Sequence, residues 1–170
     1  MEAWAVRLAA LGEVVRFDYP YMRGGAGPGP ATGRGRSPSN RRGWRRAPDR
    51  LPVLVAAHRE ALRAARADHP GAPVLLAGKS MGARVACHLA AEEPVAAVLC
   101  LGYPLRGARG DLRDAALLAL ETPVMFVQGT RDALCPLPAL AAVRRRMRAP
   151  SALHPVEGGD HSLRVGARAL

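Results

Sequence analysis

Strand-like and helix-like runs alternate along the whole chain, and that alternation predicts an α/β fold. The expected architecture is a three-layer αβα sandwich, a mostly parallel sheet with helices on both faces. Two further observations support it. Short apolar runs end near Ala77, Leu101, Gln128 and Val156, each followed by a turn rich in glycine or polar residues. The chain has 170 residues, of which 49 % are hydrophobic and 23 % charged, the make-up of one ordinary globular domain without internal repeats. In sheets of this kind, functional groups collect at the carboxyl ends of the strands.

Taken in order, Glu2 to Leu11 carries Trp4, Val6, Leu8 and Leu11 among alanines and reads as a helix stopped by Gly12. Glu13 to Asp18 reads as a strand, with Tyr19 to Met22 as an extended exit. Residues 23–48 are rich in Gly, Pro, Ser and Arg without periodicity and read as a flexible loop. Within it Arg41, Arg42, Arg45 and Arg46 surround Trp44, either as a solvated charged loop or as an anion-attracting flap. Asp49 is placed to cap a helix reaching about Ala67, with Pro52 in its first turn. Val74 to Ala77 is a strand, and the helix after it runs to about Glu93. Val95 to Leu101 is the next strand. A short helix over Asp111 to Leu120 leads to the strand Pro123 to Gln128. A helix from Pro136 to Met147 precedes a last strand, Leu153 to Val156.

The stretch that carries chemistry is Gly78-Lys79-Ser80-Met81-Gly82, set between a strand and an Ala-rich helix. Strand, Gly-x-Ser-x-Gly, helix is the pattern of a nucleophile elbow, a turn that holds the serine in a strained conformation above the sheet. Gly78 and Gly82 lack Cβ atoms and let strand and helix approach. The helix N-terminus, beginning with the Met81 N–H, faces the place where an oxyanion would form. A phosphate-binding loop is the competing reading of Gly-Lys-Ser. It needs a glycine five residues before Gly78, where this chain has Pro73. An ordinary turn with an incidental serine is the other alternative. Lys79 has no role on this reading and is expected to face solvent.

Acyl transfer by a serine needs a base for its proton and an acid to orient the base. Ser80, Asp132 and His161 stand at three strand ends in the order Ser…Asp…His found in α/β-hydrolases. Ser80 is the candidate nucleophile, His161 the base and Asp132 the orienting acid. Asp160 is a rival for the acid, but it would have to fold back on its own neighbour. His58, His69 and His88 are expected to be structural or exposed, His88 because it lies two turns along the helix from Ser80.

The net charge of +11 and pI of about 11.2 come almost wholly from arginine, with Lys79 the sole lysine. Basicity invites a nucleic-acid reading. However, no nucleic-acid-binding motif accompanies it, and with 4 % aromatic residues stacking platforms are scarce, so no specific nucleic-acid partner is expected. Three cysteines, Cys87, Cys100 and Cys135, follow no metal-ligand spacing; Cys87 and Cys100 fall on apolar elements and read as buried thiols, and a reducing cytoplasm fits best. No apolar run reaches 18 residues, so no membrane partner is expected.

Several further motifs accompany the elbow: Phe17-Asp18-Tyr19-Pro20-Tyr21-Met22, Pro48-Asp49-Arg50, Cys100-Leu101-Gly102-Tyr103-Pro104-Leu105, Gln128-Gly129-Thr130-Arg131-Asp132 and Gly159-Asp160-His161-Ser162. With these the chain resembles the small dienelactone-hydrolase-like α/β-hydrolases, most of all the group related to testis-expressed protein thirty and to subunit three of the NSL chromatin complex. The resemblance covers nearly the whole chain. It implies one α/β-hydrolase domain over residues 1–170 and a triad of Ser80, Asp132 and His161, but it carries over no substrate. The function expected from the three residues is cleavage of a small-molecule carboxylic ester, thioester or lactone through an acyl-Ser80 intermediate, with no cofactor or metal. Members of the group usually begin with a strand ending in a His-Gly loop, which lies beside the strand entering Ser80 and supplies a second oxyanion N–H. This sequence shows no such segment before Glu2. The expectation is therefore an internal or misplaced start at Met1, a gap in the sheet, and Met81 N–H as the oxyanion donor that can be named. The alternative function is a non-catalytic scaffold of the same fold that binds a protein or an anionic partner.

Overall fold

The computed structural model describes residues 2–22, 49–107, 109–166 and 168–169. The Arg-rich stretch around Trp44 lies outside the described residues. Helix α1 spans Glu2–Leu8, and a 3-10 turn spans Pro20–Met22. Then come α2 Leu51–Asp68, β1 Leu75–Lys79, α3 Met81–Ala90, β2 Ala97–Leu101, α4 Ala115–Ala119, β3 Val124–Gly129, α5 Leu137–Arg144 and β4 Ser151–Val156. A short antiparallel pair, β5 Arg164–Val165 and β6 Arg168–Ala169, follows. None of the described helices is long and apolar enough to cross a membrane.

The sheet has the order β1-β2-β3-β4 with every pair parallel, so each crossover returns the chain to the same end and all four carboxyl ends share one edge. Because strand side chains alternate, Leu76, Val98, Cys100, Val124 and Phe126 face one side and are buried. They pack with Val85, Cys87 and Leu89 of α3, Leu54 and Leu62 of α2, Leu117 of α4 and Leu140 of α5. On the opposite side, Leu101 and Val156 meet Leu163 and Trp4 of α1, at the carboxyl end of the sheet. Farther from that end, Leu75 and Met125 are roughly half exposed.

Helix bounds differ from the expected ones in physically legible ways. Helix α1 loosens after Leu8 into i→i+3 bonds, such as Leu11 N–H to Leu8 O at 2.8 Å. Asp49 does not cap α2: Arg50 occupies that position, and Asp49 Oδ2 instead accepts from the Tyr21 N–H at 3.0 Å, fixing the chain that precedes the helix. Helix α4 starts late because Arg106 and Leu112 form a bridge that turns the chain before it. Strand β4 starts earlier than expected and tolerates Pro155 because it is an edge strand.

The strand expected over Glu13 to Asp18 is absent. This segment joins no ladder, and β1 has β2 as its one partner among the described residues. A strand needs a neighbour for its backbone groups. Here Phe17 and Tyr19 anchor instead on α2: the Phe17 ring lies 4.8 Å from that of His58, and Tyr19 Oη lies 3.4 Å from His58 Nδ1.

His58 is therefore a core residue, with 6 % exposure. Burial lowers its pKa from 6.5 to about 4. As pH falls, the unfolded chain takes up this proton first, so stability is full above pH ~6.5 and is lost as pH drops towards 4. The expected loss is about 3 kcal/mol. It should appear as a falling urea midpoint between neutral pH and about pH 4.5, and His58→Gln should flatten that fall.

Candidate active site

Three strand ends converge at the carboxyl edge. Ser80 follows β1 directly and has φ 53° and ψ −117°, a left-handed conformation that a serine adopts only under constraint. The constraint is the tight passage from β1 into α3. A Cβ on Gly78 would stand 2.2 Å from the carbonyl carbon of Gly82, so position 78 accepts no side chain. The expected matching need at Gly82 is not seen among the described residues, where a Cβ there would meet Tyr19 Oη at 4.0 Å, an ordinary contact.

Asp132 follows β3 and is 2 % exposed; His161 follows β4 in the Gly158-Gly159-Asp160 turn. Ser80 Oγ lies 2.8 Å from His161 Nε2, and His161 Nδ1 lies 2.7 Å from Asp132 Oδ2. The three residues singled out in the sequence thus form one hydrogen-bonded chain across residues 80, 161 and 132. Asp160, the rival acid, points elsewhere: its Oδ1 accepts from the Ser162 and Arg164 N–H groups at 2.8 and 2.9 Å. Those backbone bonds, the Arg164 one foremost, hold its carboxyl below its usual pKa. Met81 opens α3, and its N–H is one of the first-turn donors that have no acceptor inside the helix. His88 sits farther along α3, and burial together with nearby Arg84 lowers its pKa.

The profile of the family described as "Alpha/beta hydrolase domain" matches residues 1–169. The chain belongs to that family. Solved structures show the same fold. One is an alpha-beta serine hydrolase homologue from Coxiella burnetii, with a TM-score of 0.59 and 22 % identity over 71 % of this chain and 57 % of that one. A Thermus thermophilus protein gives a TM-score of 0.53 and 24 % identity over 65 % of this chain and 56 % of that one. A cold-adapted esterase from an Arctic intertidal metagenomic library gives 0.55 and 20 % identity, covering 66 % of this chain and 48 % of the other. The chain thus spans a little over half the length of the first two structures and about half of the third.

Around this candidate site stand several residues to which the sequence reading gave no role. Gln128 is fully buried at the end of β3. Its Nε2 donates to Asp132 Oδ2, and its Oε1 accepts from the Tyr103 N–H at 2.9 Å. Asp132 Oδ1 accepts from the Leu134 N–H at 2.8 Å, so one carboxylate receives three donors. Glycines make room for the His161 loop: a Cβ on Gly102, where φ is +63°, would stand 2.6 Å from the His161 carbonyl oxygen. One on Gly129 would stand 2.3 Å from the Gly159 oxygen. The signal in the sequence was a polar Gln closing an otherwise apolar strand, and a Gly at each of two neighbouring strand ends. Cys87 and Cys100 are buried as expected, with Sγ atoms 3.5 Å apart; Cys135 is buried too, and burial pushes its thiol up to about 12.

Proposed function

We propose that this protein is a serine hydrolase that cleaves a carboxylic ester, thioester or lactone of a small molecule through an acyl-Ser80 intermediate. The observation that supports it most is the Ser80–His161–Asp132 hydrogen-bonded chain, at 2.8 and 2.7 Å, at the carboxyl edge of a parallel sheet. His161 Nε2 takes the Ser80 proton as Oγ attacks the carbonyl carbon, then gives it to the leaving group. Asp132 keeps the His161 proton on Nδ1, leaving Nε2 free to accept, and offsets the charge that forms on the ring. The oxyanion would form beside the Met81 N–H and the positive end of α3. The dienelactone-hydrolase-like grouping rests on the same motifs and suits lactone or simple ester substrates.

Short-chain p-nitrophenyl esters test this reading. The expected result is turnover at neutral pH with an acyl-enzyme detectable by mass. A folded protein that releases no more p-nitrophenolate than buffer would favour a scaffold that uses the fold without its chemistry.

A further inference from the structure

We propose that Lys79 is a positioning residue that holds His161 in register after Ser80 has been acylated, and so acts in deacylation. The proposal rests on the hydrolase reading above. Lys79 ends β1 immediately before Ser80, and its Nζ donates to the Ser162 carbonyl oxygen at 3.3 Å. Ser162 immediately follows His161. One contact therefore ties the residue before the nucleophile to the residue after the base, across a sequence separation of 83.

The rest of the His161 loop is braced on itself and on β3. Asp160 Oδ1 collects the Ser162 and Arg164 N–H groups, and the Leu163 N–H bonds the Asp160 carbonyl at 2.9 Å. The Arg131 N–H bonds the Gly159 carbonyl at 2.9 Å, and the Gly158 N–H bonds Thr130 Oγ1 at 2.8 Å. These contacts attach the loop to the Asp132 side of the site. Among the described residues, two side-chain hydrogen bonds join it to the elbow: Ser80 to His161, and Lys79 to Ser162.

The first of these two is lost during the reaction. Once Oγ carries an acyl group it has no proton to donate. The Lys79 contact, made by an ammonium and independent of the reacting atoms, remains. In deacylation a water oxygen bonds to the acyl carbon while His161 Nε2 accepts the water proton. The C–Oγ bond then breaks, Nε2 returns the proton to Oγ, and the carboxylic acid leaves. Both transfers need Nε2 within hydrogen-bond reach of the acyl carbon's surroundings, where a misplacement of an ångström is costly.

The test measures acylation and deacylation separately, by rapid-quench mass spectrometry of the acyl-enzyme with a p-nitrophenyl ester. In Lys79→Met the acylation rate constant should stay within about twofold of wild type. Deacylation should slow about tenfold, in line with loss of a hydrogen bond from a charged donor. Lys79→Gln keeps an N–H donor but not the charge and should fall between them, and Lys79→Arg should restore deacylation to within about threefold. A purely structural role would lower the melting temperature and slow both steps alike. Equal slowing of both steps, or no slowing of either, in whichever of these variants folds would overturn the proposal. Wild-type protein that forms no acyl-enzyme would instead sink the hydrolase reading itself.

Discussion

Ser80→Ala is expected to reduce ester hydrolysis by about 10⁵–10⁶-fold, leaving only what binding and the helix N-terminus contribute. The size follows from the site's construction: without the Ser80 hydroxyl no acyl-enzyme forms, so His161 has neither an Oγ proton to pass to the leaving group nor an intermediate to hydrolyse. A second consequence concerns stability. Ser80 is held at φ 53°, where any side chain with a Cβ is strained, and alanine inherits that strain. Ser80→Gly should be equally inactive yet more stable than Ser80→Ala by about 1 kcal/mol, because glycine adopts this conformation without a steric penalty. Urea denaturation of the two variants checks this directly.

Asp132→Asn is expected to lower kcat by about 10⁴-fold, with KM changed only a few-fold. An asparagine offers one carbonyl oxygen and one amide NH₂ where the carboxylate receives three donors, from His161 Nδ1, Gln128 Nε2 and the Leu134 N–H. If the oxygen serves Leu134, the NH₂ faces His161 and forces the ring's proton onto Nε2. In that tautomer the ring cannot accept the Ser80 proton. Gln128 cannot relieve the clash by turning its amide over, because its Oε1 already accepts from the Tyr103 N–H. If the asparagine is reversed, its NH₂ meets the Leu134 N–H instead. Either arrangement leaves a buried donor unpaired, so unfolding free energy should also drop by about 1–3 kcal/mol. Steady-state kinetics and a denaturation curve on the same preparation would show both effects.

What could be read from the sequence was what is encoded locally. The elbow is local, since Gly78, Ser80 and the apolar run before them specify a strand, a tight turn and a helix within a few residues. Asp132 and His161 were legible because each follows a recognisable strand, and a parallel sheet brings strand ends together. The strand expected over Glu13 to Asp18 failed because pairing is a property of two segments, and this one anchors through Phe17 and Tyr19 on His58 instead. Gln128 was missed because its importance lies in two buried partners, Asp132 and Tyr103, that no spacing rule connects to it. Lys79 was read as a solvent-facing turn residue because its acceptor, the Ser162 carbonyl, belongs to a loop at the other end of the chain.

Covalent labelling by a fluorophosphonate, read by intact mass and then by peptide mapping, asks the central question directly. A serine activated by His161 and Asp132 should take up one phosphonyl group, on the peptide that contains Ser80, and His161→Gln should abolish that uptake. Folded protein that stays unlabelled at neutral pH, or that carries the adduct on a residue other than Ser80, would contradict the account.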